Sequence, residues 1–383
     1  MAGKIATVLT AEQKNKRAQF RAFVQDEIIP HADRYDHEER IPPELIEKLA
    51  RAGYLGAVVP EEFGGAGMDM ISFGLLNEEI GRGCSSVRSL LTVHSMVAYA
   101  LLKWGNQRQK LSWLPKLASG ETVAAFALSE PGAGSDASAI ITTAESSNDF
   151  YILNGQKKWI SFAQIANLFL IFAKCGEKLS AFLVESDEPG FSIKPISGML
   201  GTRASMLGEL EIVGCKIAKE NQVGKLGFGV GSVATTALDL GRYSVAWGCV
   251  GIGQACLDAS LHYTSERKQF GEYLKEHQLV RQMLSDMITK IRAARLLCYE
   301  AGIMKESGDP DTVMQTCIAK YFASTMCAEV ASDAVQIHGA NGCSDRYPVQ
   351  RYFRDSKVME IIEGSTQIQQ LIIAECGFNS ADW

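Results

Sequence analysis

The stretch Phe150-Tyr151-Ile152-Leu153-Asn154-Gly155-Gln156-Lys157-Lys158-Trp159-Ile160-Ser161 decides the architecture. Its aromatic and branched residues favour strands, and Asn154-Gly155 accepts the positive φ angles of a two-residue turn. The segment is therefore expected to form a tight hairpin, with Phe150 to Leu153 on one side and Lys158 to Ser161 on the other. Further strands are predicted at 168–173, 181–184, 191–195 and 209–213, separated by Gly, Asp or Pro. Together they delimit a β-domain over residues 121–228.

Outward from this block the apolar period returns to 3.6. On the N-terminal side, Thr10 and Gln13 have the spacing of a capping box. Phe20, Phe23, Val24 and Ile28 then fall on one helix face until Pro30 stops it. A second helix starts near Pro42, with Leu45, Ile46, Leu49 and Ala52 as its stripe and Gly53 at the left-handed cap. Residues 1–120 read as a helical domain. On the C-terminal side, long helical segments near 233–265, 275–305, 312–338 and 361–376 predict a four-helix bundle over 229–383. The fold class is mainly α with a central β-domain, since helices, strands and helices in blocks do not build alternating βαβ units.

With 383 residues, 46% hydrophobic and 21% charged, the chain is long enough for two or three packed units and too apolar for disorder. A net charge of −6 supplies no basic footprint for nucleic acid. The 10 cysteines form no C-x-x-C pair and lie mostly in apolar runs, which is the pattern of reduced core thiols in a cytoplasmic protein. The 6 histidines form no ligand cluster, so no metal site is expected. No apolar run reaches the length of a membrane span, and Met1 to Leu9 lacks the apolar core of a secretory signal.

Three segments carry candidate chemistry. In Ser129-Glu130-Pro131-Gly132-Ala133-Gly134-Ser135-Asp136, Gly132, Gly134 and Ala137 match a degenerate dinucleotide fingerprint, but strands rather than a helix follow, which rejects a Rossmann unit. What remains is a glycine loop presenting backbone N–H groups and hydroxyls to a ligand, or a surface turn. In Met359-Glu360-Ile361-Ile362-Glu363-Gly364-Ser365, burial would raise the Glu363 carboxyl into the range of a useful base, and Gly364 would let a substrate approach the backbone. A helix-terminal surface acid is the alternative. In Glu266-Arg267-Lys268-Gln269-Phe270-Gly271, followed by Leu274 and His277, an arginine beside an aromatic suits a phosphate and a flat ring, or a solvated charged turn.

In order and spacing, these segments with Trp159-Ile160-Ser161 and Asp333-Ala334-Val335-Gln336-Ile337 resemble the acyl-CoA dehydrogenase family from about residue 10 to 376. The resemblance implies an FAD-dependent acyl-thioester dehydrogenase assembled as a homotetramer, a dimer of dimers. It places Phe126, Leu128, Ser129, Gly134, Ser135, Trp159, Ile160 and Ser161 on the FAD of the same subunit. Arg267, Phe270, Leu274, His277, Gln336 and Gly339 would reach a neighbour's FAD, with Ser365 and Gln367 touching the cofactor again. Many members have Gly-Gly where this chain has Gly339-Ala340. The family uses one of two positions for its base. Here Asp239-Leu240-Gly241-Arg242 puts glycine at one, so Glu363 fills the role, with Arg242 and Gly364 at the substrate. Nitroalkane oxidases carry Asp at this place and flavin monooxygenases usually lose the acid. A DNA-associated member would need basic patches.

The family resemblance also puts Cys84-Ser85-Ser86-Val87-Arg88-Ser89 on the floor of the acyl pocket. Arg88 there implies a polar or anionic acyl substituent, or an internal acid partner, unless it faces solvent. With Ser85, it is the expected substrate contact. These residues, with Ser244–Gly251 and Met359 to Ser365, look like the acyl-carrier-protein dehydrogenases of hydroxymalonyl and methoxymalonyl extender-unit synthesis in polyketide pathways. That likeness implies a short oxygenated acyl group on acyl carrier protein or CoA, oxidised to an alkene or at a β-alcohol or aldehyde. Electron-transfer flavoprotein or oxygen would be the acceptor. Trp247 either shortens the pocket or fills the bundle core.

Overall fold

The computed structural model describes residues 9–379; the leader segment considered above lies mostly outside the described residues. Six helices come first: α1 (Ala11–Glu27), α2 (Ala32–Glu38), α3 (Pro43–Arg51), α4 (Met70–Gly83), α5 (Ser85–Trp104) and α6 (Gln107–Ser119). The capping box forms as expected, Thr10 and Gln13 each accepting the other's backbone N–H on a side-chain oxygen. α4 and α5 are buried along nearly their whole length and form the wall between the N-terminal helices and everything after them.

Eight strands follow: β1 (Ala124–Ala127), β2 (Thr143–Ser146), β3 (Phe150–Ile160), β4 (Leu168–Cys175), β5 (Lys178–Glu185), β6 (Phe191–Pro195), β7 (Gly208–Ala218) and β8 (Gln222–Val223). They form one sheet in the order β6-β7-β3-β2-β4-β5-β8, with β1 parallel to β4. The expected hairpin at Asn154-Gly155 is not there, because β3 runs straight through it. The tight turn falls at 147–149, where Ser147 N–H donates to Phe150 O at 2.9 Å between β2 and β3. Asn154-Gly155 instead marks an irregularity in the β3–β7 register. Gly155 is required by close approach, since a Cβ there would lie 2.7 Å from the Thr142 Cα.

The C-terminal part contains α7 (Thr235–Glu266), a small hairpin of β9 (Lys268–Gln269) and β10 (Glu272–Tyr273), then α8 (Gln278–Ser307), α9 (Thr312–His338), α10 (Val349–Met359) and α11 (Thr366–Asn379). The single helix expected over 361–376 is displaced. α11 starts only at Thr366, and α10 went unread because five of its eleven residues are charged or amide side chains, which masks its apolar face. Residues 360–365 form a turn between the two.

Buried charge ties the helical parts together. Glu78 of α4 accepts from Arg17 of α1 and Arg295 of α8, at 2.9 and 2.8 Å. Glu79 accepts from Arg17 and Arg21 at 2.9 and 2.7 Å. Glu78 and Glu79, both removed from water, are thus each paired by at least two guanidiniums, which offsets the cost of their burial. Among the described residues all ten cysteines are free, and no helix is long and apolar enough to cross a membrane.

Candidate active site

The turn that follows α10 is placed by that helix's polar face. Arg351 Nε reaches Asp33 at 2.8 Å, Arg354 reaches Asp36 at 2.6 Å, and Asp355 accepts the Thr202 N–H at 2.6 Å. α10 is thereby fixed to α2 and to the loop before β7. The chain then reverses through Glu363 and Gly364, with φ of 55° and 89°. A left-handed glutamate is strained, and such strain is characteristically kept where function requires it. Three donors hold the reversal: Arg242 Nε on Glu363 O at 3.2 Å, Lys320 Nζ on Gly364 O at 2.8 Å, and Gln369 Nε2 on both carbonyls at 3.0 Å.

The Glu363 side chain enters the space between α5 and α7. Its Oε2 is buried and has no hydrogen-bond partner. Desolvation pushes the carboxyl up to about 7, against the downward pull of Arg242, Arg88 and Lys320. No protein acceptor takes the Glu363 backbone N–H among the described residues. A base that is half-ionised near neutrality and a free N–H on one residue can take a proton and stabilise the oxygen on which charge develops.

Arg88, on α5, is fully buried. Its two terminal nitrogens reach Thr92 Oγ1 at 2.8 Å and Met359 Sδ at 3.3 Å, while Nε has no partner. Neither a solvent-facing Arg88 nor one paired to an internal acid survives this geometry. Burial depresses its pKa, and Glu363 is among the groups that counter it. Thr92 continues through the Ser244 hydroxyl at 2.6 Å to Asn77 Oδ1 at 2.6 Å. Ser85 Oγ lies 3.9 Å from Met359 Sδ. Trp247, by contrast, is a core residue. Its ring packs edge-on to Tyr243 and Tyr299, and a Cβ on Gly74 would lie 2.3 Å from its Nε1.

The second group of expected residues lies at the ends of β1 and β3. Lys158 N–H donates to Ser129 O at 2.9 Å, bringing Phe126, Leu128 and Ser129 beside Trp159, Ile160 and Ser161. Beneath them Glu130 accepts from Ile141 N–H at 2.6 Å and from the buried Lys157 at 2.8 Å, and Lys157 also donates to Leu128 O at 3.1 Å. Trp159 has φ 63° yet is 51% exposed, an indole held in a strained backbone and offered to solvent. Gly134 and Ser135 are exposed, and no atom lies within 4 Å of a Cβ built on Gly132 or Gly134. The exposed indole of Trp159 and the open backbone and hydroxyls of residues 129–135 would suit a flat ring carrying phosphates. After Asp136 comes a single turn, Ala137–Ala139, not the helix a Rossmann unit needs.

The third group stands apart. Arg267 and Phe270 sit on the β9–β10 hairpin, with Phe270 98% exposed, while Leu274 and His277 are half-buried at its base. Gln336 and Gly339 are exposed at the end of α9, Gln367 is exposed on α11, and Ser365 is half-buried before it. Lys320 and Gln369 were missed from sequence. The available signal was a lone lysine inside the apolar run Cys317-Ile318-Ala319-Lys320-Tyr321-Phe322.

Comparison with known proteins identifies the family. Models of the acyl-CoA dehydrogenase N-terminal, middle and C-terminal domains match residues 10–121, 125–215 and 229–377. Glutaryl-CoA dehydrogenase of Desulfococcus multivorans is 38% identical over 96% of both chains. The structure of butyryl-CoA dehydrogenase from Megasphaera elsdenii is 33% identical, with a TM-score of 0.94 over 97% of this chain and 99% of that one. That of FkbI, for biosynthesis of a methoxymalonyl extender unit, is 30% identical, with a TM-score of 0.88 over 95% and 99%. With all three domain models matched in order and relatives of this identity spanning the whole length, the chain belongs to the acyl-CoA dehydrogenase family, the FAD-dependent oxidoreductases of acyl thioesters.

Proposed function

We propose that the enzyme oxidises a short acyl thioester whose acyl end is polar or anionic, with Glu363 as the base that removes the α-proton. The observation that carries the reading is the pairing of two orphans: Glu363 Oε2 and Arg88 Nε are both buried and both lack a partner. A cation left unsatisfied in a core is costly, and a carboxylate or hydroxyl on the substrate would complete it.

In this mechanism the thioester oxygen accepts the free Glu363 N–H, which acidifies the α-carbon. A donor of this kind is worth about 2.7–4 kcal/mol in the transition state. The carboxylate takes the α-proton, and α4, α5 and α7 keep water out. FAD, when bound along Ser129 to Ser135 and against Trp159 to Ser161, supplies the acceptor for the β-hydride. Phe270, 98% exposed in the single chain, supports burial of the β9–β10 hairpin with Arg267 against another subunit of a homotetramer.

Within this reading the enzyme serves extender-unit synthesis, supported by the likeness to FkbI, and takes its substrate from an acyl carrier protein, supported by the likeness to the prolyl acyl carrier protein oxidase AnaB. Electron-transfer flavoprotein or oxygen then reoxidises the flavin. A short-chain fatty acyl-CoA substrate, supported by the Megasphaera relative, is the competing reading. Mass spectrometry of hydroxylated, dicarboxylic and plain acyl thioesters on CoA and on carrier protein decides between them. Turnover of butyryl-CoA alone would overturn the polar reading.

A further inference from the structure

Lys320 is the least expected charge in the molecule. It lies on α9, fully buried, on a face shared with Thr316, Cys317, Ala319, Ala323 and Ser324, none of them charged. It makes no salt bridge within 4 Å among the described residues; its Nζ instead donates to the backbone oxygen of Gly364 at 2.8 Å. Arg242 Nε takes the preceding carbonyl, Glu363 O, at 3.2 Å, and Gln369 Nε2 bridges both at 3.0 Å. Two consecutive carbonyls are thus pulled to one side by donors from α7, α9 and α11. An uncapped left-handed Glu-Gly pair would relax, because a non-glycine residue gains by leaving positive φ. With its carbonyls pinned, the turn carries its carboxyl to Gly241 of α7 and Met96 of α5, Oε2 standing 2.6 Å from where a Cβ on that glycine would be.

We infer that Lys320 is a positioning residue for the base: its ammonium fixes the Gly364 carbonyl so that Glu363 keeps its left-handed backbone, and its charge faces the carboxyl it aims. This rests on Glu363 being the base. The charged and titratable groups facing the pair are Arg242 and Cys249 of α7, Arg88 of α5 and Glu360 at the end of α10. Burial pulls Lys320 down to about 8, so it is cationic across the neutral range. Removing this cation leaves Arg242 and Arg88 alone to oppose desolvation, and the Glu363 midpoint must rise.

Two substitutions separate the functions. Lys320→Met removes donor and charge; Lys320→Gln removes the charge and keeps a donor. In FAD-loaded holoenzyme, anaerobic flavin reduction by butyryl-CoA and by glutaryl-CoA is followed from pH 5.5 to 9. Both variants are expected to move the acid limb of the reduction rate upward by about one pH unit. Only Lys320→Met is expected also to lower the limiting rate, by about 10- to 100-fold, as the base loses its aim. Should Lys320→Met not fold, the acid limb of Lys320→Gln alone decides. An unmoved acid limb in folded, FAD-loaded Lys320→Gln overturns the inference, as does an unchanged limiting rate in folded Lys320→Met. Glu363→Gln is run in parallel: retained reduction there overturns the base assignment itself, a result distinguishable from either Lys320 outcome.

Discussion

Gly241 and Glu363 are fitted to each other: a Cβ at 241 would lie 2.6 Å from Glu363 Oε2 and 2.8 Å from Met96 Sδ. The glycine on α7 is the space the carboxyl occupies. Gly241→Ala therefore displaces two flexible side-chain ends, not backbone, and should leave the fold and bound FAD intact. The misplaced base should cost about 10²-fold in the limiting rate of flavin reduction. Stopped-flow measurement checks it, and an unimpaired rate would mean that the carboxyl is not used from this position.

Arg88 gives opposite signs for stability and activity. Arg88→Met removes a buried, incompletely bonded cation, so thermal stability should hold or rise by about 1–4 kcal/mol. Measured at pH 9, where Glu363 is ionised even without this neighbouring cation, turnover of polar or dicarboxylic thioesters should fall by at least about 10²-fold, with butyryl-CoA little affected. Calorimetry and paired kcat/KM values test this. An equal loss on both substrate classes would remove Arg88 from acyl recognition.

The Glu363 carboxyl, raised to about 7 by burial, sets a pH dependence in both rate and stability. The base is the ionised form, so kcat/KM should fall about tenfold per unit below pH 7. For stability the folded state holds its proton more tightly than the unfolded chain, whose carboxyl ionises near 4.5. Stability from this group is therefore present below about 4.5 and lost as pH rises to 7. Wild type should lose melting temperature across that window relative to Glu363→Gln, and parallel curves for the two proteins would contradict the assignment.

The Glu130–Lys157 pair supports the flavin surface from below. Lys157 is pulled down to about 8 by burial, opposed by Glu130, and Lys157→Met leaves a buried carboxylate without its cation. A loss of about 3–5 kcal/mol is expected, with weaker FAD retention, because the 129–135 loop loses its anchor. Denaturant unfolding and FAD titration of the apoprotein report the two separately. Normal FAD affinity in a destabilised variant would reduce the pair to a purely structural role.

The sequence showed what periodicity and local chemistry control. The Thr10–Gln13 capping box is fixed within four residues, and the spacing of β4, β5, β6 and β7 follows from strand formers broken by Gly, Asp and Pro. It misled where tertiary contacts decide. Asn154-Gly155 has the composition of a turn, yet Thr142 packed against Gly155 makes it an irregularity within one strand. The helical segment expected over 361–376 takes in Glu363, which the structure places in the turn before α11 instead. What ends α10 and delays α11 is the set of donors from Arg242, Lys320 and Gln369, two of them more than 40 residues away in the chain. Lys320 shows in the sequence only as a lone lysine in an apolar run, and the Thr92–Ser244–Asn77 chain that continues from Arg88 not at all, since no local pattern distinguishes a buried donor from a solvated one.

Removal of the α-proton by Glu363 is decided by anaerobic mixing of a thioester substrate with FAD-loaded Glu363→Gln. The variant should be a yellow, correctly assembled protein whose flavin is reduced at least about 10²-fold more slowly than wild type. Reduction at a rate near wild type would place the base elsewhere.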